Sequence, residues 1–401
     1  MDSISRTDLL HNILKPSFPR AENIEILEIK EAGHDFQFTS SLEQVTIRYD
    51  QEGERHEKHL VIKISNNDAS FVQCFVKMNF YSREIFMYKI LIPEIRNFLD
   101  DPILPICYHA IHTNDSTILV LENILVQGYE TGRRRQLLNC QQSFPVLEAL
   151  AQFHAASHKV CQSTRSLLND LLFETSILIE FKEMVVDLWG PALCKLLRMK
   201  NAAHLLENVR AAIEYLRQNE LSTKLSHSNF KFNVLNHGDF RTTNLMFKFN
   251  SQDRRVEGIK FVDFQTCKWT SPALDLIYFF TSSVRADVIE DQFETLVNWY
   301  LQCLKAKLEK LNCSNTYNKQ NFEADFQSLA YFLFLCALYV GPLVSPLDRE
   351  EQGRVHLLDE KGREDLYQRC LDDANWVDTM YRWMKFCDKL NIFNTLLAKP
   401  T

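Results

Sequence analysis

Hydrophobic residues change their period near residue 144, and that change limits the folds open to this chain. Before it, NIEILEI (23–29), QVTIRY (44–49), HLVIKI (59–64) and STILVLEN (116–123) are apolar or alternating runs between polar turns, the pattern of strands. One stretch among them, FVKMNFYSREIFMYKIL (75–91), repeats at helical spacing instead. Beyond it, PVLEALAQFHAASHKV (145–160) opens on a proline and sets Val146, Leu150 and Phe153 on one face, which predicts a helix starting at the proline. Helical patterns fill 170–220 and 283–395, and only 232–265 returns to strand-like alternation. The expected class is α+β. It has a small, mainly β lobe over 1–121, a connector ENILVQGYETGRRR at 122–135, and a large, mainly α lobe over 136–401 with a hairpin embedded in it.

Composition narrows the chemistry. The 401 residues suffice for one large domain or two ordinary ones with a substantial core, and ten glycines leave little room for flexible linkers. No fixed-period repeat is present. Lys and Arg total 45 against 52 Asp and Glu, a net charge of −7 that argues against nucleic acid as a general partner. The eleven cysteines are scattered without a CxxC pair, a pattern that needs no explanation in a reducing compartment. MDSISRTDLLHN lacks the apolar core of a signal peptide. The apolar run LAYFLFLCALYVGPLV (329–344) is shorter than the ~20 residues a bilayer span needs and is broken by Gly341-Pro342, so it reads as a buried helix. The expectation is a cytoplasmic protein with no membrane association and no obligate protein partner.

The hairpin region carries the chemistry. NVLNHGDFRTTNLMFKFN (233–250) interrupts two apolar runs with His237, Gly238, Asp239 and Asn244. LMFKFN (245–250) and GIKFVDF (258–264) flank the polar turn SQDRRVE, so an antiparallel hairpin follows. Asn244 and Asp263 are equally far from its midpoint at Asp253 and Arg254, and paired strands lie ~4.8 Å apart. A turn without large asymmetry therefore lets both side chains reach one cation. Mg²⁺ takes hard oxygens from one or two carboxylates and completes its shell with water and phosphates. Asp263 offers a carboxylate and Asn244 an amide oxygen. Asp239, just before the first strand, is placed to accept a hydroxyl proton during phosphoryl transfer. Taken alone, HGD is a common turn whose aspartate bonds its own backbone. Its partner strand is what turns the reading towards an active site.

HGDFRTTN followed by VDFQ resembles the catalytic and metal-binding segments of the aminoglycoside phosphotransferase and choline kinase superfamily, relatives of protein kinases. Within it, the chain most resembles the ecdysteroid kinase-like (CHK kinase-like) group, from about residue 30 almost to the C-terminus. The resemblance implies a bilobal protein-kinase-like fold, ATP and Mg²⁺ as cofactors, Asp239 as catalytic base, and Asn244 and Asp263 as metal ligands. HLVIKI matches the strand with the nucleotide-contacting lysine, here Lys63, and FYSREIFMYKILIPEI the helix whose glutamate pairs with it, here Glu84. LVLENILVQGY resembles the hinge that holds adenine through backbone groups around Glu122 and Ile124. In LAQFHAASH, His154 reads as a structural helix residue. In SPALDLIYFF, Asp275 reads as a stabiliser of the catalytic loop.

Three departures accompany the resemblance. The family commonly has tryptophan and asparagine where this chain has Arg241 and Thr243. The phosphate-covering segment EAGHDFQFTSS (31–41) has a single glycine, Gly33, with Thr39, Ser40 and Ser41 as candidate phosphate donors. Gln265 stands where protein kinases have the glycine of DFG, and no APE-type segment follows, which counts against a protein substrate. The implied acceptor is a hydroxylated small molecule, an ecdysteroid or other lipophilic alcohol. Its pocket is expected from 160–230, Trp269, Tyr278 and 340–346, although most of these residues read equally as helix core. The run Arg133–Arg135 reads as a solvated face. A choline- or aminoglycoside-type kinase, needing an acidic pocket, and a nucleotide-binding pseudokinase are the alternatives.

Overall fold

The computed structural model describes residues 6–31, 41–66, 78–112, 116–132, 137–164, 176–347 and 358–398, with Arg135, Leu172 and Glu351. It begins with helix α1 (Arg6–Ser17), followed by strands β1 (Glu22–Glu31), β2 (Ser41–Gln51) and β3 (Glu54–Asn66). The helical stretch expected at 75–91 is described from Met78 on. It forms α2 (Phe80–Phe86), a π-helical turn at Met87–Leu91, and α3 (Ile92–Arg96). Strands β4 (Cys107–His112) and β5 (Ser116–Glu122) complete a five-stranded antiparallel sheet in the order β1-β2-β3-β5-β4. Strand alternation sorts β3 into two faces. Leu60, Ile62 and Ile64 pack with Leu10, Ile13 and Leu14 of α1 and Val45 and Ile47 of β2 in a core of their own. Lys63 therefore points away from that core.

After the short strand β6 (Glu130–Thr131) the chain becomes helical at α4 (Cys140–Ser163). This helix starts five residues before the proline expected to open it. Asn139 and Gln142 exchange side-chain-to-backbone hydrogen bonds of 2.9 and 3.1 Å, a capping box that fixes the start, and Pro145 sits inside the helix. Helices α5 (Lys182–Met199) and α6 (Ala203–Gln218) follow, then β7 (Val234–Asn236), β8 (Leu245–Phe249), β9 (Val256–Phe261) and β10 (Lys268–Thr270). β8 pairs with both β6 and β9, while β7 pairs with β10. The chain closes with α7 (Ala273–Ser283), α8 (Ala286–Lys310), α9 (Lys319–Ser328), α10 (Ala330–Val344), α11 (Glu360–Asp372), α12 (Ala374–Lys389) and α13 (Ile392–Leu397).

The expected strands at 23–29, 44–49, 59–64 and 116–123 and the buried helix at 329–344 are all present, as α+β order requires. The mean apolar character of α10 reflects burial along almost its whole length. Among the described residues no single helix is long and apolar enough to cross a membrane. One apolar core runs from Met87, Leu91 and Ile95 through Leu119 and Leu121 into the helices, so the helix bearing Glu84 is packed against the helical part.

Candidate active site

Two loops meet between the sheet and the helices, and each is built by hydrogen bonds distant in sequence. β7 leads into His237, Gly238 and Asp239. The Asp275 carboxylate at the first turn of α7 accepts the His237 N–H at 2.7 Å and the Gly238 N–H at 2.9 Å. Asp275 is completely buried and also accepts from His154 Nε2 at 3.2 Å, while His154 Nδ1 meets the Tyr300 hydroxyl at 2.6 Å. Burial lowers the His154 pKa against the pull of Asp275. The ring is therefore neutral, donating to Asp275 and accepting from Tyr300. Asp275 stabilises the loop and His154 is structural, as the sequence suggests.

The second loop follows β9. Asp263 adopts a left-handed backbone, φ 70°, and starts a short turn, Phe264–Thr266. The Thr266 hydroxyl donates to the His237 carbonyl at 3.0 Å. Gly238 has φ +82°, and a Cβ there would stand 2.1 Å from the Thr266 carbonyl oxygen, so only glycine fits. The loops are also joined through the hairpin, where Val262 N–H donates to the Asn244 carbonyl at 3.1 Å. The register places Leu245 opposite Phe261, with an irregularity at Lys248/Phe249. Extended by one step, this register sets Asn244 opposite Val262, one short of Asp263, because the turn closes on Asn250 and Arg255 and is centred one residue earlier than expected; the irregularity recovers one of the two residues lost there. The hydrogen bond from Val262 N–H ties the strand end at Asn244 to the residue before Asp263.

The sequence-derived residues fall into two clusters. In the first, Lys63 Nζ donates to Glu84 Oε1 at 2.8 Å, Glu84 Oε2 at 2.9 Å and Asp263 Oδ1 at 2.9 Å. Burial opposes the charge on Lys63, but the Asp263 and Glu84 carboxylates outweigh it and raise its pKa. Burial pushes Glu84 up to about 7 despite Lys63, while Lys63 overcomes burial to hold Asp263 below the usual carboxylate range. Two carboxylates thus face one ammonium in a largely dry site. In the second cluster, Asn244 Nδ2 donates to the Asp239 carbonyl at 2.9 Å and to Asp239 Oδ2 at 2.8 Å. Arg241 Nε lies 3.2 Å from Asp239 Oδ1. The Tyr278 phenol is pushed far above its ordinary pKa by burial and by the neighbouring Asp239 charge.

Arg83 was not singled out by sequence, yet it is buried and donates to the Gln265 carbonyl at 2.9 Å, docking α2 on the Asp263 loop. Only its place immediately before Glu84 could have drawn attention to it. At the hinge, Glu122 accepts from the Ile106 N–H at 3.0 Å, Gln127 at 2.6 Å and Lys260 at 3.3 Å. Burial opposes its charge, but these donors hold its carboxyl below the ordinary range. Ile124 is buried, and its carbonyl accepts the Gln127 and Tyr129 N–H groups in a tight turn. Ser41 belongs to β2 and donates to the Ile64 carbonyl at 3.3 Å. Gly33, Thr39, Ser40, Arg133 and Arg134 lie outside the described residues, and Arg135 pairs with Asp373 at 2.8 Å. Of the expected pocket residues, Tyr278 reaches the site and Leu343 lines a narrow cleft beside Arg241. Trp269 instead stacks near His158, and 182–218 is largely core.

The donor set fits a divalent cation. Asp263 and Asn244 supply hard oxygens, and the Gln265 Oε1 is buried without a hydrogen-bond partner, while Gln265 Nε2 donates to Asp263 Oδ2 at 3.1 Å. Among the described residues no group of three or more His, Cys, Asp or Glu side chains is placed to hold a metal ion, so any cation here would rest on the amide oxygens as well as on Asp263.

No curated protein sequence matches the chain. A crystal structure provisionally described as a fructosamine-3-kinase, from Haemophilus somnus 129PT, is similar over 89% of this chain and 96% of its own, at 12% identity and a TM-score of 0.35. The model of the ecdysteroid kinase-like family matches residues 36–313. With that match spanning most of its length, the chain belongs to the ecdysteroid kinase-like family.

Proposed function

We propose that the protein is an ATP-dependent kinase that phosphorylates a hydroxyl of a lipophilic small molecule, an ecdysteroid or another steroid-like alcohol. Family membership supports a phosphotransferase acting on small molecules. The observation that carries the reading is the meeting of Lys63, Glu84 and Asp263 beside a loop that presents Asp239 and Asn244. Bound Mg²⁺-ATP would supply the phosphoryl group and the charge that polarises it. Asp263 and Asn244 are the residues that would hold the metal. Lys63 would turn from Asp263 to the nucleotide phosphates, with Glu84 keeping its ammonium in place. The hinge at Glu122 and Ile124 would hold the base of the nucleotide.

Asp239 orients the acceptor hydroxyl and takes its proton as the new oxygen–phosphorus bond forms and the bond to the ADP oxygen breaks. Asn244 fixes the carboxylate by donating to one of its oxygens, leaving the other towards Arg241. A cationic acceptor of the choline or aminoglycoside type is opposed by the permanent charge of Arg241 beside the base. Retention of Lys63, Glu84, Asp239, Asn244 and Asp263 together opposes a pseudokinase. The test is ATP consumption over a panel of ecdysteroids and other hydroxylated lipophiles, with choline and an aminoglycoside as controls. Turnover dependent on a lipophilic alcohol supports the assignment. Nucleotide binding without turnover across the panel would overturn it in favour of a binding module.

A further inference from the structure

Both functional aspartates are already matched with cations of the chain, but the two pairings differ in kind. Lys63 is held by three short, directed hydrogen bonds to Glu84 and Asp263. Arg241 approaches Asp239 to 3.2 Å through Nε, yet that N–H is buried and makes no hydrogen bond, because it is poorly aligned with the carboxylate. Its other contact is long, Nη1 to the Tyr339 hydroxyl at 3.4 Å. A half-buried guanidinium therefore sits against the proposed base with its buried Nε–H unused. Native proteins seldom leave such a donor idle without a functional reason.

Position gives the reason. Arg241 lies two residues after Asp239 on the loop whose end, Asn244, is hydrogen-bonded to the segment leading into Asp263. Its guanidinium stands beside the proposed base, on a loop tied to the residue that precedes the proposed metal ligand. During phosphoryl transfer, negative charge spreads over three oxygens, and a planar guanidinium matches phosphate oxygens better than it matches one misaligned carboxylate. The guanidinium stays charged at any working pH.

Resting on the reading of the site as a phosphotransferase, we infer that Arg241 is a contact for the phosphoryl group in transfer: its guanidinium moves off Asp239 and donates to the terminal phosphate of the nucleotide. Asp239 is then released to the acceptor hydroxyl only when a triphosphate is bound. ADP, which lacks that phosphate, leaves the Arg241–Asp239 pair in place. The residue thus links the presence of the phosphoryl donor to exposure of the base.

The experiment compares the full chain with its Arg241→Gln and Arg241→Lys variants, in Mg²⁺, by calorimetric titration with a non-hydrolysable β,γ-imido ATP analogue and with ADP. Arg241→Gln is expected to weaken the triphosphate analogue about tenfold or more and to leave ADP unchanged within about twofold, with Arg241→Lys intermediate. A residue that only orients Asp239 would lower turnover without changing the ratio of the two affinities. Equal shifts for both nucleotides, or none, overturn the inference while leaving the nucleotide site intact. Wild-type protein that binds neither nucleotide overturns the phosphotransferase reading and this inference together. Should Arg241→Gln fail to fold, Arg241→Lys decides: a shift confined to the triphosphate supports the contact, and an unchanged ratio refutes it.

Discussion

Lys63 Nζ lies 2.9 Å from Asp263 Oδ1, joining residues 200 positions apart in the chain. The same ammonium holds both oxygens of Glu84. Under the proposed function, a divalent cation bound at Asp263 would take the carboxylate from Lys63 and free the ammonium to meet phosphate.

Replacing Asp263 with alanine removes the only carboxylate proposed for the metal. The expected outcome is Mg²⁺-nucleotide binding weakened about tenfold or more, read by titration, with chelation of Mg²⁺ giving the same loss in the unchanged protein. Unaltered affinity in the variant would refute the hairpin as a metal site.

Asp239→Asn keeps the shape and the Asn244 contact but cannot take a proton. Substrate-dependent ATP turnover should fall at least about a hundredfold with little change in melting temperature. Equal activity in the two proteins would remove Asp239 from the chemistry.

Glu84 gives a pH signature. Burial lifts its carboxyl from 4.5 to about 7 despite the neighbouring Lys63 charge. A carboxyl raised on folding contributes stability that is complete below its unfolded pKa and lost as pH rises through the folded value. Without nucleotide or metal, wild type should therefore gain stability relative to Glu84→Gln as pH falls from about 7.5 to about 5. Urea midpoints across that range check this, and a pH-independent difference would contradict it.

Asp275→Asn replaces a buried acceptor of two backbone N–H groups and of His154 with a side chain that offers one acceptor oxygen. The loss is expected at about 1.5–3 kcal/mol for a hydrogen bond to a charged group, measured by denaturant unfolding, together with reduced turnover. A variant as stable and active as wild type would show that the loop does not depend on this carboxylate.

Much of this was legible from local pattern. Alternation marks β1, β2, β3 and β5, and the polar turn between two apolar runs marks the β8–β9 hairpin, because each signal lies within a few residues. Asp239, Asn244, Asp263, Lys63 and Glu84 were legible through spacing and resemblance. Strand β4, in ICYHAIH, mixes polar and apolar residues and becomes a strand through pairing with β5, a tertiary cause that propensity does not register. The start of α4 was misplaced because the proline outweighed the capping box ahead of it. The Arg241–Asp239 pair and the Arg83 bond to Gln265 depend on which surfaces face each other after folding, and no sequence period encodes that. The one-residue shift in the hairpin comes from a turn centred between Gln252 and Asp253, which chain symmetry does not reveal, and the irregularity at Lys248/Phe249 reduces it.

The close fit of Gly238 against the Thr266 carbonyl has a consequence for how such a protein can change. A side chain at 238 would wedge apart two segments that differ in origin along the chain but share one seam. Neither segment can shift without the other following. Anyone transplanting the Asp239 loop into another scaffold must carry the Thr266 turn with it.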